Sequence, residues 1–134
     1  MKTYIAKQPE ILKSIDGTET HLYYRVYVHE IKTGQARATT GELPLRLDIV
    51  NHSPAGFAWG YHGSGPHQLA VAILADAWGP ETARELYAEF ARDVVAKFGQ
   101  DTEWTLTDLQ VQLWVTKHAQ RFTAEQKSIP VASG

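Results

Sequence analysis

From Leu69 to Trp78 every residue is apolar except Asp76. A helix that is apolar nearly all round has to be enclosed by other elements, so this stretch predicts a central helix and a fold wrapped about it. The punctuation agrees. Pro66 suits a first helical position, Gly79 is placed as an αL C-terminal residue, and Pro80 can start a second helix with Glu81 where the helix dipole favours a carboxylate. In that second helix Leu86, Phe90, Val94 and Phe98 recur near one face, while Arg84, Glu85, Glu89, Arg92, Asp93 and Lys97 lie elsewhere, and Gly99 supplies the stop. Thr105 with Asp108 resembles a capping box. Leu106, Leu109, Leu113 and Trp114 then give the buried stripe of a third helix to about Phe122.

Upstream the period changes. Leu22, Tyr24, Val26 and Val28 alternate with Tyr23, Arg25, Tyr27 and His29, the pattern of a half-buried strand. Asp16-Gly17 is a turn dipeptide that joins this strand to an earlier one through Ile11, Leu12 and Ile15, and Lys32-Thr33-Gly34 offers a turn after it. Leu45, Leu47 and Ile49 alternate with Arg46 and Asp48 for a further strand, begun by Pro44. Strands first and helices afterwards predict an α+β protein: a small antiparallel β-sheet in the N-terminal half packed against about three C-terminal helices. One domain over 1–122 is expected, with 123–134 a loosely ordered tail of little apolar content.

With 43% hydrophobic residues over 134 positions the chain can bury a core without covalent staples. Cysteine is absent, which closes disulfide, thiolate-nucleophile and thiolate-metal chemistry and accords with a reducing, cytoplasmic setting. No apolar run serves as a signal peptide or approaches the ~20 residues that span a bilayer, so no membrane association is expected. The formal net charge of -2 lacks the basic excess that drives phosphate-backbone binding, so nucleic acid is a poor candidate partner.

Residues 51–68 concentrate glycines, prolines, hydroxyls, imidazoles and two large aromatics just before the central helix. Glycines there permit close backbone approach, and the first amides of a helix can hold an anion. The candidate ligand residues are His52, Ser53, Trp59, Tyr61, Ser64, Gly65 and Gln68. In that reading Ser64 donates a hydroxyl, His52 or His67 titrates, and Trp59 or Tyr61 forms a stacking wall. Helix initiation and core packing of Trp59 explain the same residues and are the favoured reading. The segment is neither a Walker A loop nor a dinucleotide-binding glycine motif, and Ser64 lacks a nucleophile-elbow context. His52, His62 and His67 have no metal-ligand spacing, so no metal or other cofactor is expected. Asp48 and Asp76 specify no acid–base pair. A second candidate surface is the strand face Tyr23, Arg25, Tyr27 and His29, residue types that serve a protein interface or the stacking of single-stranded bases.

The stretches Leu43-Pro44-Leu45-Arg46, Asn51-His52-Ser53-Pro54-Ala55-Gly56-Phe57-Ala58-Trp59-Gly60-Tyr61, Gly63-Ser64-Gly65-Pro66 and Gln68-Leu69-Ala70 resemble the signature of an uncharacterised bacterial family. The likeness runs from Leu43 to the Trp104–Thr107 region. Its members occur in bacterial genomes, phages and plasmids, which implies an accessory role and assigns no activity. At His62 and His67 the family pattern more often has small residues, which weakens a metal or catalytic role for both. With no nucleophile–base or metal constellation, the expected function is that of a non-catalytic accessory protein that binds a protein partner. The alternative is an anion-binding protein or enzyme that uses the 51–68 loop.

Overall fold

The computed structural model describes residues 1–34 and 37–128, with side chains as far as His118. Its element order is β1 (Lys2–Ala6), β2 (Glu10–Lys13), β3 (Thr20–Tyr23), β4 (Val26–Glu30), β5 (Thr39–Glu42), α1 (Ser64–Ala77), α2 (Pro80–Asp93), β6 (Trp104–Thr107) and α3 (Asp108–Ser128). This is the α+β arrangement expected. The four-stranded antiparallel sheet has the order β5-β4-β1-β6, and β2 and β3 form a separate two-stranded ribbon. Of the expected tail, residues 129–134 lie outside those described, and α3 runs past Phe122 to Ser128.

Register explains which sheet face is covered. Tyr4 lies between Val28 and Leu106, and Ala6 between Val26 and Trp104, so these residues share one face. All six belong to the core or pack on its edge, together with Leu69, Ile73 and Leu74 of α1, Phe90 of α2 and Val111 and Val115 of α3. The opposite face carries Ile5 between Tyr27 and Thr105, and Thr3 between His29 and Thr107. α1 is buried from Gln68 to Ala75, as a helix without a polar face requires. At its end the Tyr4 hydroxyl donates to Asp76 Oδ2 (2.7 Å), and the Lys2 ammonium stands 3.3 Å from the same oxygen. Burial, then the Asp76 carboxylate, push the Tyr4 hydroxyl far above the ordinary tyrosine range.

Several local expectations are corrected. The alternating run Leu22–His29 is two strands, because Tyr24 and Arg25 leave the pairing between β3 and β4. Tyr24 turns its hydroxyl to Asp101 Oδ1 (2.6 Å) and its ring edge-on to Trp59. Leu45–Ile49 is not a strand. Arg46 adopts φ 57, and the Ile49 amide donates back to the Arg46 carbonyl (3.1 Å), which makes a turn. Trp104–Thr107 pairs with β1, so the capping box sits two residues later than expected. The Gln110 amide donates to Thr107 Oγ1 (3.1 Å) and the Thr107 amide to Gln110 Oε1 (2.9 Å). α3 also docks on a face other than the expected stripe, with Val111 and Val115 buried and Leu109 and Leu113 exposed. Gly79 has φ 154 rather than an αL conformation and serves as the N-cap of α2.

Candidate functional site

The 51–68 segment is tied into the protein by its own polar groups. Gln68 is fully buried, and its carboxamide is saturated. Oε1 accepts the amides of His52 (2.8 Å) and Ser53 (3.0 Å), while Nε2 donates to the carbonyls of Leu45 (2.6 Å) and Val50 (3.0 Å). A primary amide has two donors and two acceptor lone pairs, so none is left for a ligand. Ser53 Oγ donates to the Gly56 carbonyl (2.7 Å). Trp59 is buried between Tyr24 and Trp104, both edge-on, and donates Nε1–H to the Thr102 carbonyl (2.9 Å).

Two glycines are fixed by close approach. Gly60 has φ 85, and a Cβ there would lie 2.5 Å from Gln100 Cα and 2.7 Å from the Phe98 carbonyl oxygen. A Cβ on Gly65 would lie 2.7 Å from that of Ala58. Glycine at these positions lets the loop lie against the 98–100 turn and lets α1 start against residue 58.

Of the remaining loop residues, the structure brings His52 and His67 together against Tyr87. His52 shares a 2.9 Å hydrogen bond with the Tyr87 hydroxyl and packs beside His67 and Tyr87, while His67 donates Nδ1–H to the Gly63 carbonyl. Tyr87 is a contact that could not be foreseen from spacing, which places it only beside the apolar face of α2. Ser64 and Tyr61 are exposed, and no hydrogen bond joins Ser64 to His52 among the described residues. Among the described residues no group of three or more His, Asp or Glu could hold a metal ion. Asp48 is held by the Arg46 guanidinium (3.0 and 3.1 Å), so it and Asp76 each have a separate partner.

The second candidate surface is divided by the break at residues 24–25. Tyr27 and His29 lie on the outer face of the sheet, with Lys7 over the Tyr27 ring and His29 hydrogen-bonded to Thr40 (3.0 Å). Tyr23 and Arg25 belong to the ribbon and its linker. No other helix or strand packs extensively on the ribbon among the described residues. Yet Ile11 (64% exposed), Leu12 (43%), Leu22 (49%) and Tyr23 (46%) all stand at its surface. A groove of about 650 Å³ lies beside it, lined by residues 21–25, by Glu42, Leu43 and Leu45, and by residues 54–57. Arg25 reaches Glu10 only at 4.0 Å.

The ribbon is closed by a carboxylate-centred turn. Asp16 Oδ1 accepts the Ser14 and Thr18 hydroxyls (2.6 and 2.8 Å) and the Thr18 amide (3.1 Å). The Ser14 hydroxyl, then Thr18, hold the Asp16 carboxyl down at about 2. A lowered folded pKa stabilises above the unfolded value and is lost as acid is added. The turn is therefore expected to loosen as pH falls from about 4 towards 2, with the Thr18 amide resonance moving over that interval. A Thr18 resonance that does not move there would separate the carboxylate from the turn.

No helix among the described residues is long and apolar enough to cross a membrane. No curated protein and no solved structure matches the chain. Residues 26–117, which begin after the ribbon and include the whole 51–68 segment, match the sequence model of a family of unknown function (DUF6166), and the chain belongs to that family.

Proposed function

We propose that this is a non-catalytic interaction protein whose β2–β3 ribbon and adjoining groove bind a protein partner. The observation that carries this reading is the ribbon itself. It keeps four large apolar side chains in water, and a lone two-stranded hairpin is at best marginally stable. Ile11 and Leu22 share one face of the ribbon and Leu12 and Tyr23 the other; exposed apolar side chains beside a concavity and an arginine are what an interaction site offers. The outer sheet face with Tyr27 and His29 is a separate surface beyond the break at residues 24–25. The formal charge of -2 favours a protein over a nucleic acid, and the absence of cysteine suits a reducing, cytoplasmic setting.

The anion-site alternative retains exposed Ser64 at the start of α1, but Gln68, Ser53 and Trp59 are committed to internal bonds. The test is quantitative capture from a bacterial lysate with wild-type protein and the Ile11→Ser/Leu22→Ser variant. Both side chains are about half exposed and face each other across the ribbon, so the variant is expected to stay folded at a cost of about 1 kcal/mol per site. A partner enriched by wild type and lost by the folded variant supports the reading. Identical captured sets contradict it.

A further inference from the structure

We propose that the partner enters the groove as an extended, apolar, electrically neutral peptide segment that adds a strand to the free edge of β3. This rests on the ribbon being the interaction surface, and it specifies the chemistry of recognition. The pairing register identifies the edge. The Ser14 amide donates to the Glu19 carbonyl (2.9 Å), one step beyond the Lys13–Thr20 pair. Bonded and non-bonded pairs alternate in an antiparallel ladder, so Leu12–His21 and Glu10–Tyr23 are the bonded pairs. Thr20 and Leu22 therefore turn their N–H and C=O groups away from β2, and no other bond takes up those groups among the described residues.

Leu22, whose backbone groups are left unpaired, is one of the residues lining the groove. Glu42 lines the groove as well. The Leu43 amide donates to the Val26 carbonyl (2.8 Å), and the same alternation leaves the backbone groups of Glu42 unpaired with β4. An unpaired edge is a template for an incoming strand, and alternate side chains of that strand would meet the half-exposed Leu22 and the partly buried Leu45. The formal charges of the lining are Arg25 and Glu42, one of each sign. A wall with no net charge matches a neutral segment and offers a polyanion nothing, so the binding should be insensitive to salt.

The experiment selects peptides from a random decapeptide display library on the full-length protein and measures the affinity of the best synthetic peptide by fluorescence anisotropy. Leu22→Pro removes the free-edge donor without removing a β2–β3 hydrogen bond, because proline is tolerated where the N–H faces away from the partner strand. Leu22→Val keeps the donor. The expected result is alternating apolar residues in the selected peptides, a roughly tenfold loss of affinity in Leu22→Pro and little change in Leu22→Val, as one lost backbone hydrogen bond implies.

Should the proline variant misfold, hydrogen exchange on wild type decides the matter, since bound peptide must slow the Leu22 amide. Peptide that binds Leu22→Pro as tightly as wild type and leaves the Leu22 amide unprotected overturns strand addition while the ribbon reading stands. A dimer in sedimentation that Ile11→Ser/Leu22→Ser abolishes makes a second copy the occupant and overturns the proposal. So does steeply salt-dependent binding of a poly(dT) probe at the same residues. Failure of the ribbon reading itself shows separately, as unchanged capture by the Ile11→Ser/Leu22→Ser protein.

Discussion

Gln68→Met is expected to destabilise the protein by about 4 kcal/mol, as four net hydrogen bonds at about 1 kcal/mol each imply. Methionine has nearly the shape of glutamine, so packing is kept and only the polar contacts go. The loss falls on four backbone groups, the amides of His52 and Ser53 and the carbonyls of Leu45 and Val50, all satisfied by one fully buried carboxamide. Domains of this size have roughly 5–15 kcal/mol in total, so the shift in urea midpoint should be large at unchanged m-value. A loss below about 1 kcal/mol would mean that water takes over the bonds and that Gln68 does not fasten the loop.

Trp59→Ala is expected to cost about 4 kcal/mol, the range for a buried aromatic replaced by alanine. The indole is 1% exposed, meets Tyr24 and Trp104 edge-on and donates to the Thr102 carbonyl (2.9 Å). It thus joins the ribbon's exit, the 51–68 loop and the turn before β6. Thermal and urea unfolding of the variant read the cost, and Trp59→Phe, which keeps a ring but loses the N–H, should recover most of it. A Trp59→Ala protein of wild-type stability that had lost a ligand would instead make Trp59 a stacking wall.

The large-scale architecture was legible because it depends on local periodicity. α1 had to be central, since no face of Leu69–Ala75 is polar, and Pro80 with Glu81 marked the start of α2. Features set by distant partners were not legible. β1 is short and mixed in character, and it becomes an inner strand, next to β4, only by pairing with both β4 and β6. Thr105 and Leu106 read as the start of a helix because nothing local shows that Ile5 and Tyr4 will pair with them. The run at Leu45–Ile49 alternates like a strand, yet Gln68 draws the Leu45 and Val50 carbonyls to itself and Arg46 bends the chain between them.

The 51–68 loop shows the same division. Its unusual composition was visible, but glycines, a glutamine and a tryptophan suit an anion cradle and an internal fastening alike. The choice turned on Gln68 meeting residues 45–53 and on Gly60 meeting 98–100, contacts that no spacing encodes. In the ribbon, alternation made Tyr23 and Arg25 candidates together with Tyr27 and His29. Only the departure of Tyr24 towards Trp59 and Asp101 separates the two pairs.

We propose residues 51–68 as scaffold and the ribbon as the surface free to bind. Native-state hydrogen exchange at the His52 and Ser53 amides tests it most directly, because both donate to the buried Gln68 oxygen. If the loop is fastened as described, these amides open only with global unfolding, and their exchange free energies match those of Leu69–Ala75, while the outward amides of Thr20 and Leu22 exchange freely. Fast local exchange at His52 and Ser53 with slow exchange across the ribbon would contradict the account.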